Sequence, residues 1–75
     1  MDKTSLIIKN KLYCFDLLRS EKTLIINIFK DNKFIELKKI NMEFDLIRNT
    51  FFNYEDKIYC VILDRNNGVI IKLFL

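Results

Sequence analysis

Residues 56–74 read DKIYCVILDRNNGVIIKLF, and nearly the same phrase stands earlier as NKLYCFDLLRSEKTLIINIF at residues 10–29. Within these copies, VIIKLF and TLIINIF are dense in β-branched side chains, which suit a pleated strand and lose χ1 freedom in a helix. The polar groups RNNG and RSEK separate each run from the one before it, and RNNG holds the only glycine of the chain. Each copy therefore reads as extended runs joined by short turns.

Sliding the chain over itself by 46 residues aligns 4–19 with 50–65, and omitting Ser20 brings 21–29 onto 66–74. Nine of the twenty-five aligned positions are identical, among them Tyr13/Tyr59, Cys14/Cys60, Arg19/Arg65 and Phe29/Phe74. That density predicts a single small β-rich domain over 1–75 containing an approximate internal repeat, 4–29 and 50–74. Similar hairpin grammar occurs in propeller blades of roughly 40–50 residues, but the GH and WD pairs are missing and the chain is too short to close a propeller. No family is assigned.

Working outward, residues 5–9 form a short strand that turns at Asn10 and Lys11 into a strand over 12–18. Another runs over 23–30, and Asp31 and Asn32 supply a two-residue turn into 34–40, whose lysines suit a sheet edge. Residues 42–53 carry two periodicities. A helix would align Ile40, Phe44, Ile47, Phe51 and Tyr54, whereas a strand would align Met42, Phe44 and Leu46. The repeat favours the strand, because it requires 50–55 to be extended like 4–9. NYED then turns into 58–64, and RNNG leads into 69–75, with Gly68 at a position needing positive φ. The predicted fold class is mainly β: a small antiparallel meander, as an incomplete barrel or two-layer sandwich, with one short helix around 42–53 as the alternative.

Period-two alternation gives each strand two faces. Tyr13, Phe15 and Leu17 are assigned inward, and with them their counterparts Tyr59, Val61 and Leu63. The sides carrying Asp16 and Asp64 are then the wetter ones. Leu24, Ile26 and Ile28 share a face, as do Val69, Ile71, Leu73 and Leu75.

Composition supports a folded chain. Twelve Ile, ten Leu and seven Phe with no Pro are the opposite of a disordered balance, and a chain of this size buries about 60% of its extended surface. Neither a secretory leader nor an 18-residue apolar run is visible, so the expectation is a cytoplasmic protein outside the membrane.

The chemistry-bearing residues are sparse. There is no histidine, so no Ser–His–acid or Cys–His arrangement exists. One glycine cannot build a phosphate loop. Cys14 and Cys60 read as unbonded strand residues, and two thiolates without histidine leave a zinc site unfilled. No enzyme, cofactor, metal or small-molecule substrate is expected.

Binding remains. A strand such as VIIKLFL is hazardous on a sheet edge, which leaves three placements: central in its own sheet, paired with a second copy, or paired with a different protein. The preferred expectation is a small protein-binding or regulatory protein that meets a second copy or another protein through Phe29, Phe34, Phe51, Phe52, Ile70, Phe74 and Leu75. The net charge of +3 allows an alternative, a single-stranded nucleic-acid surface built on Lys9, Lys11, Lys38 and Lys39 beside aromatic rings. A structural subunit of a larger assembly is the third.

Overall fold

Seven antiparallel strands in two sheets make up the computed structural model, which describes residues 2–75. Strands β1 (Asp2–Ile8), β2 (Lys11–Leu18), β3 (Thr23–Lys30) and β4 (Lys33–Asn41) form one sheet in sequence order. Strands β5 (Leu46–Tyr54), β6 (Lys57–Asp64) and β7 (Gly68–Leu73) form the other, again in order. The chain divides into two units, the first ending at Glu43 and the second beginning at Phe44. Each unit is an open meander, as the mainly-β reading predicts. The helical alternative for 42–53 is not adopted, since most of that stretch lies in β5.

The turns explain why strands form where they do. Lys9 and Asn10, Asp31 and Asn32, and Glu55 and Asp56 each have positive φ at both residues, the signature of a two-residue turn whose twist matches its flanking strands. Each pair contains Asn or Asp, which tolerate the left-handed region. The first turn lies one residue earlier than its sequence position suggests, so Lys11 already belongs to β2. Between β2 and β3 a single 3-10 turn, Arg19–Glu21, ends on Lys22 with φ 49°. Gly68 has φ 79° and opens β7.

The hairpin registers of the two units coincide under the sequence offset. Thr4 pairs with Phe15 and Phe15 with Ile26; Thr50 pairs with Val61 and Val61 with Ile71. The buried faces do not coincide. In the first unit Phe15 and Leu17 are buried, as assigned from sequence, and Leu24 and Ile26 with them, while Tyr13 is half-buried. In the second, Ile58, Cys60 and Ile62 are buried instead, while Leu63, Val69 and Ile71 are exposed. The inward assignment of Tyr59, Val61 and Leu63 is therefore corrected. Asp64, expected on the wet side, is only 2% exposed.

The cause lies in the side chains. The second face of the first unit carries Asp16 and Asn27 at its centre, and Asn27 Nδ2 donates to Asp16 Oδ2 at 3.2 Å. Lys3 Nζ lies 3.9 Å from Asp16 Oδ1. Such a face stays partly wet, because taking a carboxylate fully out of water costs several kcal/mol even when it is paired. The repeat places Ile62 where Asp16 stands, and Lys72 where Asn27 stands, so the same face of the second unit is apolar enough to bury. Full burial of an Ile or Phe side chain contributes about 1.5–3 kcal/mol.

Candidate protein-binding face

Burying Ile58, Cys60 and Ile62 turns the alternate residues of β6 and β7 outward. Those residues are apolar as well. Val69 is 69% exposed, Ile71 65% and Leu73 51%, with Leu63 beside them on β6. Toward the β5–β6 turn the same face becomes aromatic: the Phe52 ring stacks on Tyr59 at 5.6 Å, and Tyr54 lies 6.5 Å from Tyr59. Exposed apolar side chains grouped on one face are the kind of surface at which proteins commonly meet a partner.

The face continues into an open edge. At the end of β7, Ile58 N donates to Leu75 O at 2.7 Å, while Phe74 N and Leu75 N both donate to Ile58 O, at 2.8 and 3.3 Å. Two donors on one carbonyl make a bulge. Because hydrogen-bonded and non-bonded pairs alternate along an antiparallel ladder, Lys72 and Ile70 exchange bonds with β6, and Val69, Ile71 and Leu73 aim their N–H and C=O groups away from it. No strand lies on that side of β7 in its sheet.

A polar knot holds the other end of β7. Asp64 Oδ1 accepts from Asp45 N at 2.7 Å, and Oδ2 accepts from Asn66 N, Asn67 N and Asn67 Nδ2 at 3.1, 2.8 and 2.9 Å. Desolvation pushes this carboxyl up, and the backbone donors of Asn67, Asp45 and Asn66 outweigh it, so its pKa lies below the ordinary value. Arg65 adds a bond from its N to Asp45 O at 2.9 Å and an ion pair from Nε to Asp45 Oδ2 at 3.2 Å. The turn into β7 is thereby fixed.

The residues expected from sequence to bind a protein fall into different places. Phe29 and Phe34 are exposed beside the Asp31–Asn32 turn, with rings edge to face at 5.2 Å. Phe51 and Phe74 are 7% and 5% exposed and lie 6.1 Å apart, so they are not displayed as the sequence reading requires. Phe52, Ile70 and Leu75 are half-buried. Val69, Ile71, Leu73, Leu63 and Tyr54, all exposed, are not among the residues expected from sequence. The signal was present, since β6 and β7 are apolar on both faces and only one face was buried.

The lysines do not gather. Lys38 partners Ile26 and Lys39 partners Ile25, so the two point to opposite faces of the first sheet. Lys9 lies in the β1–β2 turn and Lys11 starts β2 opposite Ile8. Both cysteines are free thiols. Burial pushes Cys60 up to about 11, and burial followed by the charge of Asp16 raises Cys14, which keeps both protonated at neutral pH. Among the described residues no cluster of three or more His, Cys, Asp or Glu could hold a metal, and no helix is long and apolar enough to cross a membrane. No protein-family model, curated protein or solved structure matches the chain significantly.

Proposed function

We propose that the chain is a small non-enzymatic protein-binding protein, regulatory in role, that presents the outer face of β5, β6 and β7 and the open edge of β7 to a protein partner. The observation that carries this reading is the coincidence of two features on one strand. Val69, Ile71 and Leu73 are its most exposed apolar side chains and also the residues whose backbone groups face outward. Adding a strand there gives affinity through the backbone and specificity through alternate side chains.

A display selection of extended peptides against the folded chain tests the proposal, with Ile71→Lys as the counter-target. The expected binders alternate apolar residues, lose affinity on Ile71→Lys, and protect the amides of Val69, Ile71 and Leu73 from hydrogen exchange. Binders that ignore Ile71→Lys, or none at all, overturn it. An oligonucleotide carried through the same assay at low salt measures the competing nucleic-acid reading. For that reading the rings of Phe52, Tyr54 and Tyr59 beside Lys57, which pairs with Tyr54, offer the stacking surface.

A further inference from the structure

We propose that Asn67 and Gly68 form a self-modifying site, at which Asn67 cyclises onto the Gly68 nitrogen and opens to aspartate or isoaspartate once the hydrogen bonds from this turn to Asp64 release, and that the conversion keeps those bonds from re-forming. The inference goes beyond the docking reading and does not rest on it.

The chemistry needs a carboxamide, an unhindered backbone nitrogen directly after it, and water. Asn67 is the only asparagine of the chain followed by glycine; the others precede residues whose Cβ crowds the attacking nitrogen. Around Gly68 no atom beyond its chain neighbours lies within 4 Å of the place a Cβ would take, and both residues are exposed to solvent. Deprotonated by hydroxide, Gly68 N attacks Asn67 Cγ. The N–Cγ bond forms, the Cγ–Nδ2 bond breaks, and Nδ2 leaves as ammonia with a proton from water. A second water opens the cyclic imide at Cγ to give aspartate, or at the Asn67 carbonyl carbon to give isoaspartate, whose main chain is longer by a methylene. Nothing is oxidised or reduced.

The folded hairpin withholds both reacting groups. Asn67 Nδ2 donates to Asp64 Oδ2 at 2.9 Å and Asn67 N donates to the same oxygen at 2.8 Å, so the carboxamide is turned back toward Asp64. Gly68 pairs with Asp64 and stands in step with Ile70 and Lys72, so its N–H points into the ladder with β6. Cyclisation therefore waits for this end of β7 to open. Once it has happened, the return is blocked. A carboxylate at position 67 has no N–H to give, and it sets a second negative charge against a carboxylate that is 2% exposed. Isoaspartate also lengthens the turn and shifts the residue 67 N–H off Asp64. Because Asp64 Oδ1 holds Asp45 N at 2.7 Å, the turn and the start of β7 lose their anchor together.

Timed incubation of the full chain in one mildly alkaline buffer, with and without urea, followed by peptide mass mapping, tests the proposal. In urea the chain is expected to convert at Asn67 before any other asparagine. The folded chain should convert at the same residue at least about tenfold more slowly, because the reaction tracks the population of the opened form. Asp64→Asn removes a charged acceptor and should speed the folded reaction by about tenfold. Gly68→Ala in urea, where its backbone strain no longer matters, should suppress conversion. Asn67→Asp makes the product directly, and its Gly68 and Ile70 amides should exchange faster than in the wild type while that of Lys72 stays protected. Equal rates in the folded and unfolded chain, earlier conversion at another asparagine, a folded Asp64→Asn chain that reacts no faster, or wild-type exchange in Asn67→Asp overturns the proposal. If Asp64→Asn does not fold, the ratio of folded to unfolded rates and the exchange of Asn67→Asp decide it.

Discussion

Asp16 and Ile62 occupy the same position in two meanders whose strands pair in the same register, yet one lies on a partly wet face and the other is fully buried. Identical backbone pairing thus does not dictate which side of a sheet is hidden. In β1–β2–β3 one face is continuously apolar and the other carries Asp16 and Asn27, so burial has a single favourable choice. In β5–β6–β7 both faces are apolar, and one of them is left exposed. The exposed face is the cost of that second apolar stripe, and it is the surface on which the proposed docking rests.

The edges differ in the same way. Strand β4 carries Lys33, Glu36, Lys38 and Lys39, charges that discourage a neighbouring strand. Strand β7 carries only Lys72. One edge is guarded and the other is open.

The sharpest way to break the comparison is to exchange the two residues that define it. Ile62→Asp should destabilise the fold by more than about 4 kcal/mol, because it buries a carboxylate with no partner. Asp16→Ile should cost less, about 1–2 kcal/mol, since it removes a bond from Asn27, a weak one from Cys14 Sγ at 3.5 Å and a long ion pair at an 18% exposed side chain. Urea denaturation of both variants settles the matter, and equal losses would show that the faces are not distinguished as described.

A second pair probes packing without charge. Phe15→Ala removes a ring that is fully buried and should cost about 3–5 kcal/mol. Its counterpart Val61→Ala, half-buried on the outer face, should cost about 1 kcal/mol or less. Thermal melts with the order reversed would mean that the outer face of the second meander is the packed one.

The smallest effect sharpens the account of Asp64. Its folded pKa lies below the ordinary 3.8, so its contribution is fully present above that value and is lost as pH falls through the folded pKa. Acidification from neutral pH to below about 4 should therefore lower the melting temperature of the wild type more than that of Asp64→Asn. Parallel acid titrations would refute the knot as a pH-dependent element.

Much of the fold was legible in the sequence because it is governed locally. Asp31 and Asn32 announce their turn through tolerance of positive φ, Gly68 does the same at the start of β7, and the lysines of β4 mark an edge. The candidate site was legible only in part. Phe29 and Phe34 stand exposed as their hairpin position suggests, but Phe51 and Phe74 do not, because they share a face with Ile58, Cys60 and Ile62 and go inside with them.

The sequence alone pointed to extended segments outside 42–53, most of their turns, and two faces on each strand, since period-two alternation and turn chemistry act over a few residues. Only the tertiary structure decided which face of β6 and β7 is buried. When both stripes of a strand are apolar, local preference is balanced and the choice passes to contacts beyond the strand, whereas in the first unit single polar groups such as Asp16 and Asn27 already settle it.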